Sequence, residues 1–218
     1  MHTACAGPTL AVMPKRTERT PMRRFSLLAL AAGLALTVCV AAEPDSHAQH
    51  RMMAANVTVQ DARYEVPDVE LLDEQGRRVR LRELLAEDRP IALNFIFTSC
   101  TTVCPVMTAS FLQMQKTMRT EQISAPAFVS ISIDPDFDTA PVLAAYARRF
   151  GADWTFLSGE TDDVVRVMRA FDAYRGGKAN HAAITLMRAP HGKKWTRVEG
   201  LAPSEHLVHV WKEVAGAG

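Results

Sequence analysis

Asn94-Phe95-Ile96-Phe97-Thr98-Ser99-Cys100-Thr101-Thr102-Val103-Cys104-Pro105-Val106-Met107 decides the fold. An apolar run that begins at Ile91 stops abruptly in a small polar cluster holding two cysteines four positions apart. Beyond Pro105, the apolar residues Met107, Phe111, Met114 and Met118 recur at helical spacing. The segment reads as a buried strand, a tight loop and a helix. Proline fits the first turn of a helix and not its interior, which puts Cys104 at the helix start and Cys100 on the loop before it. Thiols at a helix N-terminus meet unpaired backbone N–H groups and the positive end of the dipole. Both favour the thiolate, which is the nucleophile and the metal ligand.

Working outward, the start of the chain does not read as part of the fold. Met22-Arg23-Arg24-Phe25 precedes an apolar stretch and the small residues Val40, Ala41 and Ala42, the layout of a secretory signal over residues 22–42. Residues 1–21 read as a disordered extension or a mis-assigned start. The apolar segment from Leu27 to Ala42 is 16 residues. A membrane span needs about 20, so cleavage is the first expectation and an inner-membrane anchor the second. Removing residues 1–42 takes away five basic residues and one acid, leaving 20 basic against 23 acidic and a net charge of −3. That balance offers nothing to nucleic acid. Cys5 and Cys39 leave with the signal, so Cys100 and Cys104 are the exported thiols. A disulfide between them closes a tiny loop and gains little chain entropy, so a structural staple is the weaker reading of the pair. In an oxidising compartment, such as the periplasm, redox or metal chemistry is the stronger one.

Residues 43–60 read as a linker, although His47, His50, Met52 and Met53 are side chains that copper accepts. The domain is expected over residues 61–218. A hairpin turns at Gly76, and Arg82 to Ala86 makes one helical turn. Ile91–Phe97 and Ala127–Ile133 are buried strands, with a helix of roughly 105–120 between them. A helix from Thr139 and Pro141 ends at Gly151, Trp154–Leu157 is a short strand, and Thr161–Tyr174 is an amphipathic helix. Ala183–Met187 and Trp195–Val198 form a second hairpin, and Pro203–Val214 closes the chain. The order βαβα then ββα is that of an α/β protein with a thioredoxin-like fold, a central mixed sheet flanked by helices, here with an N-terminal β-hairpin.

Two thiolates and an imidazole make a soft site suited to copper. The candidate imidazole is His181, because the loop leading into the second hairpin faces the dithiol loop in such a topology. His191, His206 and His209 read as solvated or core-edge residues, and Met107, Met114 and Met118 as core. The alternating aspartates of Asp134-Pro135-Asp136-Phe137-Asp138-Thr139 lack the glycine and the glutamate of a calcium loop. Asp138-Thr139 reads as a helix cap, and Asp134 equally as a carboxylate presented to the thiol site from outside the ligand set or as a residue that stabilises the loop.

The motifs Cys100-Thr101-Thr102-Val103-Cys104-Pro105 and Asp134-Pro135-Asp136-Phe137-Asp138-Thr139, with Arg149-Phe150-Gly151-Ala152-Asp153-Trp154, are together similar to the Sco/SenC family. The resemblance runs from about residue 64 to 212. It implies one copper ion, Cu(I) or Cu(II), held by Cys100, Cys104 and His181. It also implies delivery of copper to the dinuclear copper site of cytochrome c oxidase, or preparation of that site's thiols, with the oxidase copper-site subunit or another periplasmic copper protein as partner. Family members often carry Asp-His where this chain has Asn180-His181, a missing charge beside the ligand. The alternative is a thiol–disulfide oxidoreductase, with Cys100 and Cys104 as catalytic cysteines that alternate with a disulfide and a thioredoxin-like reductant as partner. The three-residue spacer argues against it, since redox motifs typically use two. A peroxidase lacks an evident resolving scheme.

Overall fold

A computed structural model describes residues 56–86 and 88–216. The expectations for residues 1–21, 22–42 and the linker up to residue 55 fall outside the described residues. The strands are β1 (Thr58–Ala62), β2 (Glu70–Asp73), β3 (Arg78–Arg80), β4 (Ile91–Ile96), β5 (Ala127–Ser132), β6 (Thr155–Ser158), β7 (Ile184–Arg188) and β8 (Trp195–Glu199). The helices are α1 (Leu81–Leu84), α2 (Val103–Thr120), α3 (Ala140–Phe150), α4 (Thr161–Ala170) and α5 (Ser204–Gly216), with a 3-10 turn at Lys178–Asn180.

The strands form one mixed sheet in the order β1-β8-β7-β4-β5-β6-β2-β3. β4, β5 and β6 are parallel, and β7 runs antiparallel to β4. Every residue of β4 is buried, as a strand covered on both faces requires. Ile91, Leu93 and Phe95 pack with Leu81, Leu85, Val164, Val167 and Phe171, from α1, α4 and the residues that follow them. Ala92 and Ile96 point the other way, into a core built on Phe111, Met114, Met118, Leu143, Tyr146 and Trp211 from α2, α3 and α5. The two-residue period of the strand thus divides one apolar run between two cores. This is the thioredoxin-like, mixed α/β architecture.

Three differences from the sequence reading have physical causes. Residues 58–60, expected in the linker, belong to β1, whose first four residues are exposed and which is held by antiparallel pairing with β8. With no buried face, the strand leaves no hydrophobic alternation to read. α2 begins at Val103, so Pro105 lies within its first turn. α4 stops at Ala170 and not at Tyr174, because Asp172 turns left-handed (φ 48°) and the Ala173 N–H closes back on the Met168 carbonyl at 2.7 Å. Phe171 and Ala173 remain buried beyond the helix, which is why the periodicity overran it.

Candidate metal centre

Parallel β4 and β5 bring their carboxyl ends to one edge, and antiparallel β7 begins at that same edge. Asn94 lies opposite Thr185, so extending the register carries His181 to the level of Thr98. The loop after β4, the start of α2, the loop after β5 and the loop before β7 therefore meet. Strand polarity alone sets this juxtaposition.

The first turn of α2 is pinned from below. The Thr108 hydroxyl donates to the Cys104 carbonyl at 2.9 Å, which leaves its oxygen to accept the Tyr146 hydroxyl at 2.9 Å. Cys104 is fully buried, and its Sγ accepts the Phe97 N–H at 3.4 Å. Cys100 is partly exposed. Its Sγ accepts the Cys104 N–H at 3.5 Å and lies 3.8 Å from the Thr102 hydroxyl. Both thiols are free.

The two cysteines differ electrostatically. Burial pushes the Cys104 thiol up to about 12, and the nearby Cys100 sulfur and Asp138 carboxylate push the same way against the Phe97 N–H. Burial also raises the Cys100 thiol, yet the N–H groups of Cys104 and Thr102 outweigh it and leave that thiol below its ordinary range. The helix-start argument, which expected thiolate at both, holds for Cys100. At Cys104 the loss of water wins.

Of the two aspartates, Asp138 turns inward beside the thiols and Asp134 closes the turn before it. The Asp134 carbonyl accepts the N–H groups of Phe137 and Asp138 at 3.1 and 2.8 Å, a tight turn that folds Asp138 back toward β4. Asp138 is fully buried. Its carboxylate takes the Thr98 N–H at 3.0 Å, the Thr98 hydroxyl, and the Ser132 hydroxyl at 2.5 Å. It joins the ends of β4 and β5 directly behind the thiols. The start of α3 has no side-chain cap. Asp134 instead pairs with Lys178, its Oδ2 2.5 Å from the ammonium. Asp138 was read as a helix cap and its place behind the thiols went unread, although a hydroxyl at Thr98 and a carboxylate after the neighbouring parallel strand were the available signal.

His181 Nε2 lies 3.0 Å from the Phe95 carbonyl. A carbonyl only accepts, so Nε2 carries the proton, and burial holds the imidazole below its ordinary pKa, toward the neutral form. Nδ1 is buried without a hydrogen-bond partner. That orphaned lone pair, with a thiol pair on the same edge, fits a soft cation. Among the described residues, no three His, Cys, Asp or Glu side chains are gathered closely enough to hold a metal ion. Cys100 and Cys104 are together here, whereas His181 rests on Phe95 and against the Phe97 ring, 6.0 Å between centroids. Of the other histidines, His191 occupies a left-handed turn, His209 faces Glu213 at 3.4 Å, and His206 is half-buried on α5. Met107, Met114 and Met118 lie in the core.

A profile of the family described as SCO1/SenC matches residues 58–216. A SCO1 protein homolog from Bacillus subtilis (strain 168) is 31% identical over 115 residues, which make up 50% of this chain and 58% of that protein. The match thus spans less than two thirds of that relative's length. The structure of BsSco, in which a disulfide switch was identified and which is a member of the Sco family of cytochrome c oxidase assembly proteins, superposes with a TM-score of 0.60. It shares 24% identity and covers 73% of this chain and 98% of its own. ScoI of Arabidopsis thaliana with copper bound gives a TM-score of 0.60 at 18% identity, covering 70% of this chain and 99% of its own. At these identities the superpositions establish a common fold. Since the profile match runs through all eight strands and the loops that carry both thiols and His181, this chain belongs to the SCO1/SenC family.

Proposed function

We propose that this protein is an exported copper chaperone. It carries one copper ion on Cys100, Cys104 and His181 and delivers it to, or prepares the thiols of, the dinuclear copper site of cytochrome c oxidase. The carrying observation is the orphaned, buried Nδ1 of a neutral His181 on the same sheet edge as an unequal thiol pair. Cys100, the more acidic and more exposed thiol, offers the first sulfur. Cys104 follows by giving up its proton, and Nδ1 adds an uncharged third ligand once the His181 loop closes on the pair. Two thiolates leave a Cu(I) complex with a charge of about −1, soft and under-coordinated, so that an incoming thiol can displace a ligand. The relatives add support: BsSco belongs to a family of oxidase assembly proteins, and copper occupies a homologous fold in plant ScoI.

A periplasmic location rests on the export signal at residues 22–42, cleaved or retained as an anchor. Among the described residues no helix is long and apolar enough to cross a membrane.

The thiol asymmetry also favours a second reading, disulfide reduction. The Cys100 thiolate would attack a partner's disulfide and release one partner thiolate. The Cys104 sulfur, surrendering its proton, would then displace the other, leaving a Cys100–Cys104 disulfide. A thioredoxin-like reductant would return the two electrons. Copper titration of the reduced protein, followed by anaerobic mixing with an apo fragment of the oxidase copper domain, separates the two. One tightly held copper per chain that moves to the fragment supports the chaperone. Weak copper binding with reduction of the fragment's disulfide overturns it in favour of the oxidoreductase.

A further inference from the structure

The loop that carries His181 is fastened across the dithiol edge by a lysine. Lys178 lies in the 3-10 turn, and its ammonium sits 2.5 Å from Asp134 Oδ2 at the end of β5 and 6.0 Å from the centroid of the Phe97 ring at the end of β4. The Asp134 side chain is only 12% exposed, so this pair is less screened than an ordinary surface ion pair. The Phe97 ring that receives the cation also packs edge-on against His181. Inside the loop, the Asn180 N–H donates to the Gly177 carbonyl at 3.1 Å and the His181 N–H to the Lys178 carbonyl at 3.2 Å. The Asn180 amide donates to the Arg175 carbonyl at 3.3 Å. Residues 177–181 therefore move as one turn, and whatever holds Lys178 holds His181. Gly176, in the left-handed region, and Gly177, the first residue of the turn, join it to the chain upstream, with open space where a Cβ would stand at either. Glycines there leave the placing of the turn to its contacts, which are the Lys178 pair, the Asn180 bond to Arg175 and the His181 bond to Phe95.

We propose that Lys178, clamped between Asp134 and Phe97, is the positioning residue for His181, fixing its loop over the ends of β4 and β5 at the place from which Nδ1 closes on the thiol pair. The inference rests on Cys100, Cys104 and His181 being the copper ligands. It gives Asp134 a task through the loop in place of one at the sulfurs. It also puts a charge pair where the chain lacks an acidic neighbour beside the histidine, since residue 180 is Asn. The effect belongs to Cu(II), which depends on imidazole, more than to Cu(I), which two thiolates satisfy.

The test uses the full reduced chain with Lys178→Met, Asp134→Asn and the exchanged pair Asp134→Lys/Lys178→Asp. Each is titrated with Cu(II) and with Cu(I) against a competing chelator, with visible and EPR spectra of the Cu(II) form. Each single change is expected to weaken Cu(II) by about twofold to fivefold, less than the loss of the imidazole itself and in the range of a partly shielded ion pair. The Cu(II) spectrum should move toward that of His181→Ala while Cu(I) affinity changes by less than about twofold. The exchanged pair should restore both affinity and spectrum. Unchanged Cu(II) affinity and spectrum in Lys178→Met, or the same weakening when Lys178→Met is placed in a His181→Ala background, overturns the proposal alone. A wild-type Cu(II) spectrum untouched by His181→Ala overturns the ligand set, and the proposal with it.

Discussion

The two edges of the sheet treat their polar groups in opposite ways. At the edge where β7 ends, Arg188 is 3% exposed, donates to the carbonyls of Leu85, Ala86 and Arg89, and lies 4.7 Å over the Trp195 ring. A cavity of about 730 Å³ opens beside it, walled by Arg63, Tyr64, Arg82, Lys193 and Trp195. At the dithiol edge, Cys104 is dry with the Phe97 N–H as donor, and His181 Nδ1 has no partner. The arginine edge is arranged for stability, with a buried charge surrounded by acceptors. The dithiol edge keeps strong donors of electron pairs short of company, which is the condition of a group waiting for a ligand. Cavity volume points to one edge and chemistry to the other.

The contrast breaks most sharply on the sulfurs. Cys100→Ser or Cys104→Ser should lower Cu(I) affinity by about a thousandfold or more, because a hydroxyl is a poor ligand for a soft ion. Competition titration measures this, and tight Cu(I) binding surviving in either variant would remove the paired-thiol site.

Arg188→Leu should do the reverse. It strands three carbonyls and should cost about 2–4 kcal/mol in a urea melt, while the copper stoichiometry stays at one per chain. A melt shifted by less than about 0.5 kcal/mol would show that the arginine edge is not the structural one.

The folded Cys104 thiol sits above its usual value of 9.0, at about 12. Folding therefore binds its proton more tightly than the unfolded chain does. The associated stability is complete below about pH 9 and is lost as pH rises toward about 12. Copper must displace the same proton, so apparent Cu(I) affinity should climb by at least about tenfold per pH unit between pH 7 and 9. A flat profile over that range would mean that Cys104 is already a thiolate.

The smallest expected effect is at the imidazole. His181→Ala should weaken Cu(II) by about tenfold and Cu(I) by less than about threefold. Equal losses for both ions would place His181 outside the ligand set.

Much of the fold was legible because burial writes itself into sequence. The apolar runs at 91–97 and 127–133 can only be covered strands, Pro105 marks the first turn of α2, and Gly151 stops α3 in the left-handed region (φ 65°). β1 was illegible because its first four residues are exposed and it is held by strand pairing with β8, with no apolar face to read. The site was legible as residue types on one edge, since strand direction fixes where the loops meet. Which aspartate turns inward depends on a turn closed at the Asp134 carbonyl, and no residue type announces that. The unequal thiols depend on how deeply α2 sinks into the core around Phe111 and Tyr146, a property of packing that spacing cannot show.

β1 carries one more consequence. Thr58 pairs with Glu199, which pairs with Ile184, so the first residue of β1 stands level with the dithiol edge. Gly200 keeps it there: a Cβ at that position would come within 2.7 Å of the Asn56 carbonyl oxygen. Asn56 to Thr58, the first described residues, are therefore held on the side that bears the thiols. A side chain at position 200 would push them away, so the outermost strand and the dithiol loop answer to the same end of the sheet.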